Sequence, residues 1–185
     1  MMRHTTTALY VLLAVALFAA PGHAQRTSVE LRVGAAIGNY SGTDAGLELV
    51  PAPSFAATVG LGLTESAGLY AGINRSSFGC DEALCATRDV LLTSQGVTAG
   101  GRYAVGPGWV RAGLAFQQLR VDSDVDTDTA DFGVGWDLAA GLDFPVGRGF
   151  RVRPGVTYLR HAAVTRTEDG HAALLAFEVG VAMRF

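Results

Sequence analysis

Hydrophobic and polar positions alternate along almost the whole chain. In the closing stretch "LLAFEVGVAMRF", Phe177, Val179, Val181, Met183 and Phe185 share one parity, and Glu178, Gly180, Ala182 and Arg184 share the other. A period of two over this length is the mark of a β-strand with two unlike faces. The pattern recurs in eight segments, 28–40, 53–64, 67–76, 90–104, 109–121, 132–144, 150–161 and 172–185, with no helical periodicity between them. Soluble sandwich strands typically stop at about 5–6 residues. These reach the roughly 9–11 residues with which a tilted strand crosses a bilayer.

The connections alternate as regularly as the residues. A long loop (41–52), a tight turn at Glu65-Ser66, a long loop (77–89), the turn "VGPG", a long loop (122–131), the turn "PVGRG" and a long loop (162–171) follow in order. All four long loops therefore fall at one end of an up-and-down array. An even strand number puts both termini at the other end. Eight such strands, the short turns and a terminal "VAMRF" ending in Phe185 resemble the small eight-stranded bacterial outer-membrane barrels, the family of the OmpA transmembrane domain and OmpX. The resemblance implies an all-β, antiparallel, up-and-down transmembrane β-barrel in the cell outer membrane. It implies that the barrel-assembly machinery reads Phe185 during biogenesis. It carries no catalytic motif.

The two parities differ in kind. One holds Val29, Leu31, Val33, Phe55, Val59, Leu61, Val110, Leu114, Phe116, Phe132, Val134, Trp136, Leu138, Leu142 and Phe144. The other holds Gly34, Gly60, Gly72, Gly100, Gly113, Gly133, Gly135, Gly141, Gly155 and Gly180. Glycine weakens a strand that faces water, but a narrow eight-stranded lumen has room only for small residues and a few long ones. The apolar parity is thus expected to meet lipid. Aromatics on it fall into two groups. Phe55, Phe116, Phe132, Trp136, Tyr158 and Phe177 lie in the loop-side half, and Tyr103, Phe144, Phe150 and Phe185 near the turns. Two such belts suit the two membrane interfaces. Trp109 has the opposite parity, at a strand start where register is loose. Pro154 sits inside a strand on the lipid parity, where its missing N–H predicts a bulge or a short local break.

The interior parity also carries Glu30, Arg32, Arg102, Arg111, Asp137, Asp143, Arg151, Arg153, Glu178 and Arg184. Four carboxylates and six guanidiniums in a low-dielectric lumen must pair or be solvated, and the guanidinium fork suits carboxylates. The expectation is a salt-bridged plug, with two arginines in excess held by water or at a rim. An ion path is the competing reading.

The first residues bear on compartment. "MMRH", the apolar run "ALYVLLAVALFAA" and the small residues Gly22 and Ala24 of "PGHA" have the layout of a secretory signal peptide, residues 1–24, leaving 25–185 as the barrel. A net charge of −3 argues against nucleic-acid binding. All 14 basic residues are arginine, which suggests no function. Cys80 and Cys85 in "GCDEALCA" read as a loop-stapling disulfide in an oxidising compartment. The aspartates of "DSDVDTDTAD" (Asp122, Asp124, Asp126, Asp128, Asp131) lack the Gly and Glu of a calcium loop, since Thr127 and Gly133 stand in those places. No metal site is assigned there. His161 and His171 flank the last loop as surface groups without a visible nucleophile, so no catalytic residue is assigned either.

The reading is a monomeric outer-membrane barrel without cofactor, structural or surface-interactive, with outer-membrane lipid and lipopolysaccharide as its surroundings. Any extracellular ligand would meet the four loops. A narrow porin-like channel and a lipid A-modifying enzyme are the alternatives.

Overall fold

The computed structural model describes residues 27–41, 50–80, 90–122, 127–164 and 169–185. The signal-peptide segment, Cys85, Asp124 and Asp126 lie outside the described residues, and with them the Cys80–Cys85 bridge. The strands are β1 (Thr27–Ser41), β2 (Pro51–Gly62), β3 (Ala67–Cys80), β4 (Val90–Val105), β5 (Gly108–Asp122), β6 (Thr127–Leu142), β7 (Phe144–Pro145), β8 (Phe150–Val164) and β9 (Asp169–Arg184). The two-residue β7 prolongs β6 beyond Asp143, so the wall has eight staves. Each pairs antiparallel with its sequence neighbour. The β1–β9 and β6–β8 seams close the sheet on itself. The fold is a closed, up-and-down, eight-stranded barrel, which leaves no strand edge exposed.

Local chemistry sets the short turns. Val105 pairs with Gly108 across Gly106-Pro107, and Gly106 has φ +56°. A two-residue hairpin with positive φ only at its first position is of the II′ kind, the one that proline at the second position allows. At the β2–β3 turn, Thr64 Oγ1 accepts from Ala67 N at 2.9 Å, and Leu63 N donates to Ala67 O at 2.9 Å.

The strands run further toward the loop end than the alternation indicates. β3 continues to Cys80, β6 begins at Thr127, β8 continues to Val164 and β9 begins at Asp169. The expected loops 77–89, 122–131 and 162–171 are correspondingly shorter. In β6 the cause is a bulge. Gln118 pairs with Phe132 but Arg120 pairs with Thr129, so Leu119 faces two residues, Ala130 and Asp131. An inserted residue reverses the parity, and a reader of alternation loses the strand there.

Pro154 acts through a break. Gly141 pairs with Gly155 and Phe144 with Val152, the same register on both sides, while the ladder between lapses. No residue is inserted. Its partner on the other flank, Val179, stays paired.

The outer surface is apolar. Leu31 (61% exposed), Leu114 (59%), Phe132 (68%) and Phe177 (55%) stand on it, as do all ten belt aromatics. The inner surface is crowded. A Cβ at Gly34, Gly96, Gly133 or Gly135 would collide with a carbonyl oxygen of the adjacent strand. Tight curvature brings inward-facing positions that close, and glycine admits it.

Candidate functional site

The lumen is built in two tiers. The turn-side tier is ionic. Glu30 on β1 and Asp143 below β6 each gather several guanidiniums. Arg153 Nη1 donates to Glu30 Oε2 at 2.6 Å and Arg102 Nη1 to the same oxygen at 3.2 Å. Arg153 also reaches both oxygens of Asp143, at 3.2 Å each. Asp143 further accepts from Arg151 and, at 3.3 Å, from Arg184. Arg32 Nη1 donates to Glu178 Oε2 at 2.9 Å, while its Nε faces Glu30 Oε1 at 3.7 Å, too long for a hydrogen bond.

A second pair stands across the lumen. Arg111 Nη2 donates to Asp137 Oδ1 at 3.2 Å. Arg111 Nε lies 3.1 Å from Asp137 Oδ2 but is poorly aligned with it. Thr157 joins the halves: its Oγ1 donates to Glu178 Oε2 at 2.9 Å and accepts from Arg32 Nη1 at 3.1 Å and Arg111 Nη2 at 3.5 Å. All ten charged residues thus meet in one array. Glu30, Arg32, Arg111, Asp137, Arg153 and Glu178 are buried; Arg102, Asp143, Arg151 and Arg184 are half-buried toward the mouth.

Several members carry no charge, so a reading confined to charged side chains passes over them. Tyr70 Oη donates to Asp137 Oδ2 at 2.8 Å. Ser54 Oγ donates to Glu178 Oε1 at 2.9 Å and pairs with Ser76 Oγ. Trp109 is buried at 4% exposure and donates from Nε1 to Leu142 O at 3.1 Å. Its parity is true: it belongs to the lumen and to neither membrane belt. Its ring lies 4.6 Å from the Arg102 guanidinium carbon and 6.0 Å from that of Arg111, a cation–π bracket. Parity alone marks each of these residues as interior.

The loop-side tier is mainly apolar. Phe78, Leu92, Leu119, Leu159 and Leu174 form a buried cluster with small alanines, and Tyr40 and Val121 pack against it. Beneath lies a neutral polar layer in which Gln117 Nε2 donates to Asn74 Oδ1 at 2.9 Å. In the same layer Ser94 Oγ stands 2.9 Å from His161 Nε2. His161 Nδ1 lies 2.9 Å from Ala162 O, so this nitrogen carries the proton and Nε2 accepts from Ser94.

This corrects the sequence reading of His161 as a surface group: it is 1% exposed, on the lumen side of β8. A serine–histidine pair exists, contrary to expectation, and both side chains are enclosed. Ser94 is fully buried, so no substrate atom reaches its oxygen in this state. His171 is exposed at the start of β9. Among the described residues no cluster of His, Cys, Asp and Glu could hold a metal.

A closed antiparallel barrel with an apolar exterior and an ionic interior defines a small integral membrane barrel. The sequence profile of the outer membrane protein beta-barrel domain matches residues 10–185, and the chain belongs to that family. It is an outer-membrane protein. No curated protein matches it in sequence. Among solved structures it is similar to Neisserial surface protein A (NspA), at 16% identity and TM-score 0.61, covering 86% of this chain and 97% of that one. It is also similar to Ail of Yersinia pestis in complex with the heparin analogue sucrose octasulfate (14%, TM-score 0.58, 87% and 99%). OprG of Pseudomonas aeruginosa matches at 10% and TM-score 0.52, over 87% and 97%. These identities speak to fold alone.

Proposed function

We propose that this chain is a closed barrel that anchors four recognition loops at the cell surface and reinforces the outer membrane, rather than a conduit. The observation that carries the reading is the filling of the lumen at two heights. Guanidinium–carboxylate pairs occupy the turn side, and Phe78, Leu119, Leu159 and Leu174 occupy the loop side. Between them lies a cavity of about 20 Å³, room for a single water. An ion crossing would have to displace a charge network and then an apolar layer.

In this reading residues 1–24 direct export, the loop-side connections β1–β2, β3–β4, β5–β6 and β8–β9 carry specificity, and the protein works as a monomer without cofactor. Arg75, Arg120 and Arg160 are exposed on the outer face of the loop-side half, where lipopolysaccharide phosphates would meet them. Arg120 also donates from Nε to both oxygens of Asp122, at 2.8 and 2.9 Å, which holds that exposed carboxyl below its usual range.

The purified barrel in planar bilayers is expected to pass no steady current across a range of voltages. Stable unitary conductance would overturn the closed-lumen reading in favour of a channel. Replacement of loop residues 123–126 by a Gly-Ser linker should leave folding intact and remove whatever cell-surface binding the protein confers. Binding that survives replacement of all four loops refutes the display role.

A further inference from the structure

Beyond that reading, we infer that the turn-side mouth is a binding site for a phosphate-type oxyanion, held by Arg102, Arg111 and Arg153 beside Trp109. A cavity of about 100 Å³ opens at this end, and those four residues line it together with Glu30 and Asp143. A single water needs roughly 10–15 Å³, so one tetrahedral oxyanion fits with several waters.

Charge is the first argument. Six guanidiniums face four carboxylates in the lumen, and the sharing is uneven. Glu30 serves Arg32, Arg102 and Arg153, and Asp143 serves Arg151, Arg153 and Arg184. Register is the second. Arg102 and Arg111 are direct cross-strand partners on β4 and β5, both pointing inward. Like charges directly opposite each other destabilise a sheet, and their separate carboxylates, Glu30 and Asp137, offset this only in part. Geometry is the third. The Trp109 ring lies against both guanidiniums, and Arg102, whose Nη1 donates to Glu30, lines the cavity with Arg111 and Arg153. Guanidinium forks match the oxygens of phosphate bidentately. An anion at this point neutralises the excess in a poorly screened setting. The ligand arrives from the periplasmic side, as inorganic phosphate, a small phosphate ester, or the phosphate of an inner-leaflet lipid.

The test uses the folded barrel in micelles of an alkyl maltoside detergent, which carry no phosphate. Phosphate titrated at constant ionic strength against chloride is expected to raise the unfolding temperature and to broaden the ³¹P resonance of the free ion. Arg102→Gln is expected to weaken binding about tenfold or more. Arg148→Gln removes the same charge from an exposed turn residue and is expected to leave binding unchanged. Equal effects of chloride and phosphate, or equal loss in both variants, would reduce the site to bulk electrostatics and overturn the inference. Should Arg102→Gln fail to fold, the ³¹P broadening on the wild-type barrel decides: its absence refutes the site. Nanodiscs containing phosphatidylglycerol separate the sources. If that lipid abolishes the response to free phosphate in the wild type, the lipid phosphate holds the site. If the response persists, the soluble anion does.

Discussion

At the scale of single residues, parity decides environment, and the two tryptophans show it. Trp109 and Trp136 lie on neighbouring strands, yet Trp109 is 4% exposed and Trp136 54%. Brominated acyl chains are expected to quench the fluorescence of a Trp109→Phe variant, which keeps Trp136, and to spare that of Trp136→Phe. Equal quenching of both would contradict the assignment of faces. Glu30 gives an energetic counterpart. Its carboxylate meets three guanidiniums, so Glu30→Gln strands buried charge and should destabilise the barrel by about 3–5 kcal/mol in urea unfolding. The exposed Arg120–Asp122 pair should contribute under ~1 kcal/mol when broken by Arg120→Ala, because water and salt screen it. The charged interior residues are legible in sequence, since an arginine on a glycine-rich parity stands out. The partners that bind them are not: Tyr70, Ser54 and Thr157 look like any interior residue until the chain is folded. His161 is hidden from a sequence reading for another reason. It closes the predicted strand 150–161 and so reads as a rim group, whereas the strand continues past it to Val164 and carries it into the lumen wall.

At the scale of elements, the sequence marks a strand wherever alternation is unbroken and loses it wherever a backbone irregularity reverses parity. The bulge opposite Leu119 conceals Thr127–Asp131 of β6, and non-alternating "SSFGC" conceals the end of β3. Pro154 is the opposite case, since the residue itself announces a fault and only its form is open. The fault spares the register, so restoring a donor should restore the ladder. Pro154→Val returns an N–H opposite Leu142 and a β-branched side chain to the lipid-facing parity. It is expected to stabilise the barrel by about 0.5–1.5 kcal/mol, the net value of one hydrogen bond. Amide exchange should slow at positions 142 and 153, and the amide gained at position 154 should be protected. If the variant is less stable, or exchange there quickens, the break is a feature the β6–β8 seam requires.

At the scale of the whole molecule, the strand count fixes the orientation of everything else. Phe185 N donates to Thr27 O at 2.9 Å, so the described chain starts and finishes at the end that carries the two-residue Gly106-Pro107 turn, and the two nine-residue connections, 42–50 and 81–89, lie at the opposite end. In outer-membrane barrels the short turns are periplasmic. By that rule an eight-stave wall is expected to send the Asp122–Thr127 connection outward and the Gly106-Pro107 turn inward, with no freedom to invert one without the other. The opposition of these two connections follows from counting strands and is legible in the sequence. A protease site inserted between residues 123 and 126 should be cut when intact cells are treated. The same site at Gly106-Pro107 should resist until the outer membrane is permeabilised. Cleavage of the turn insertion on intact cells would reverse the barrel. It would also move the arginine-lined mouth to the cell surface, where its oxyanion would have to come from outside.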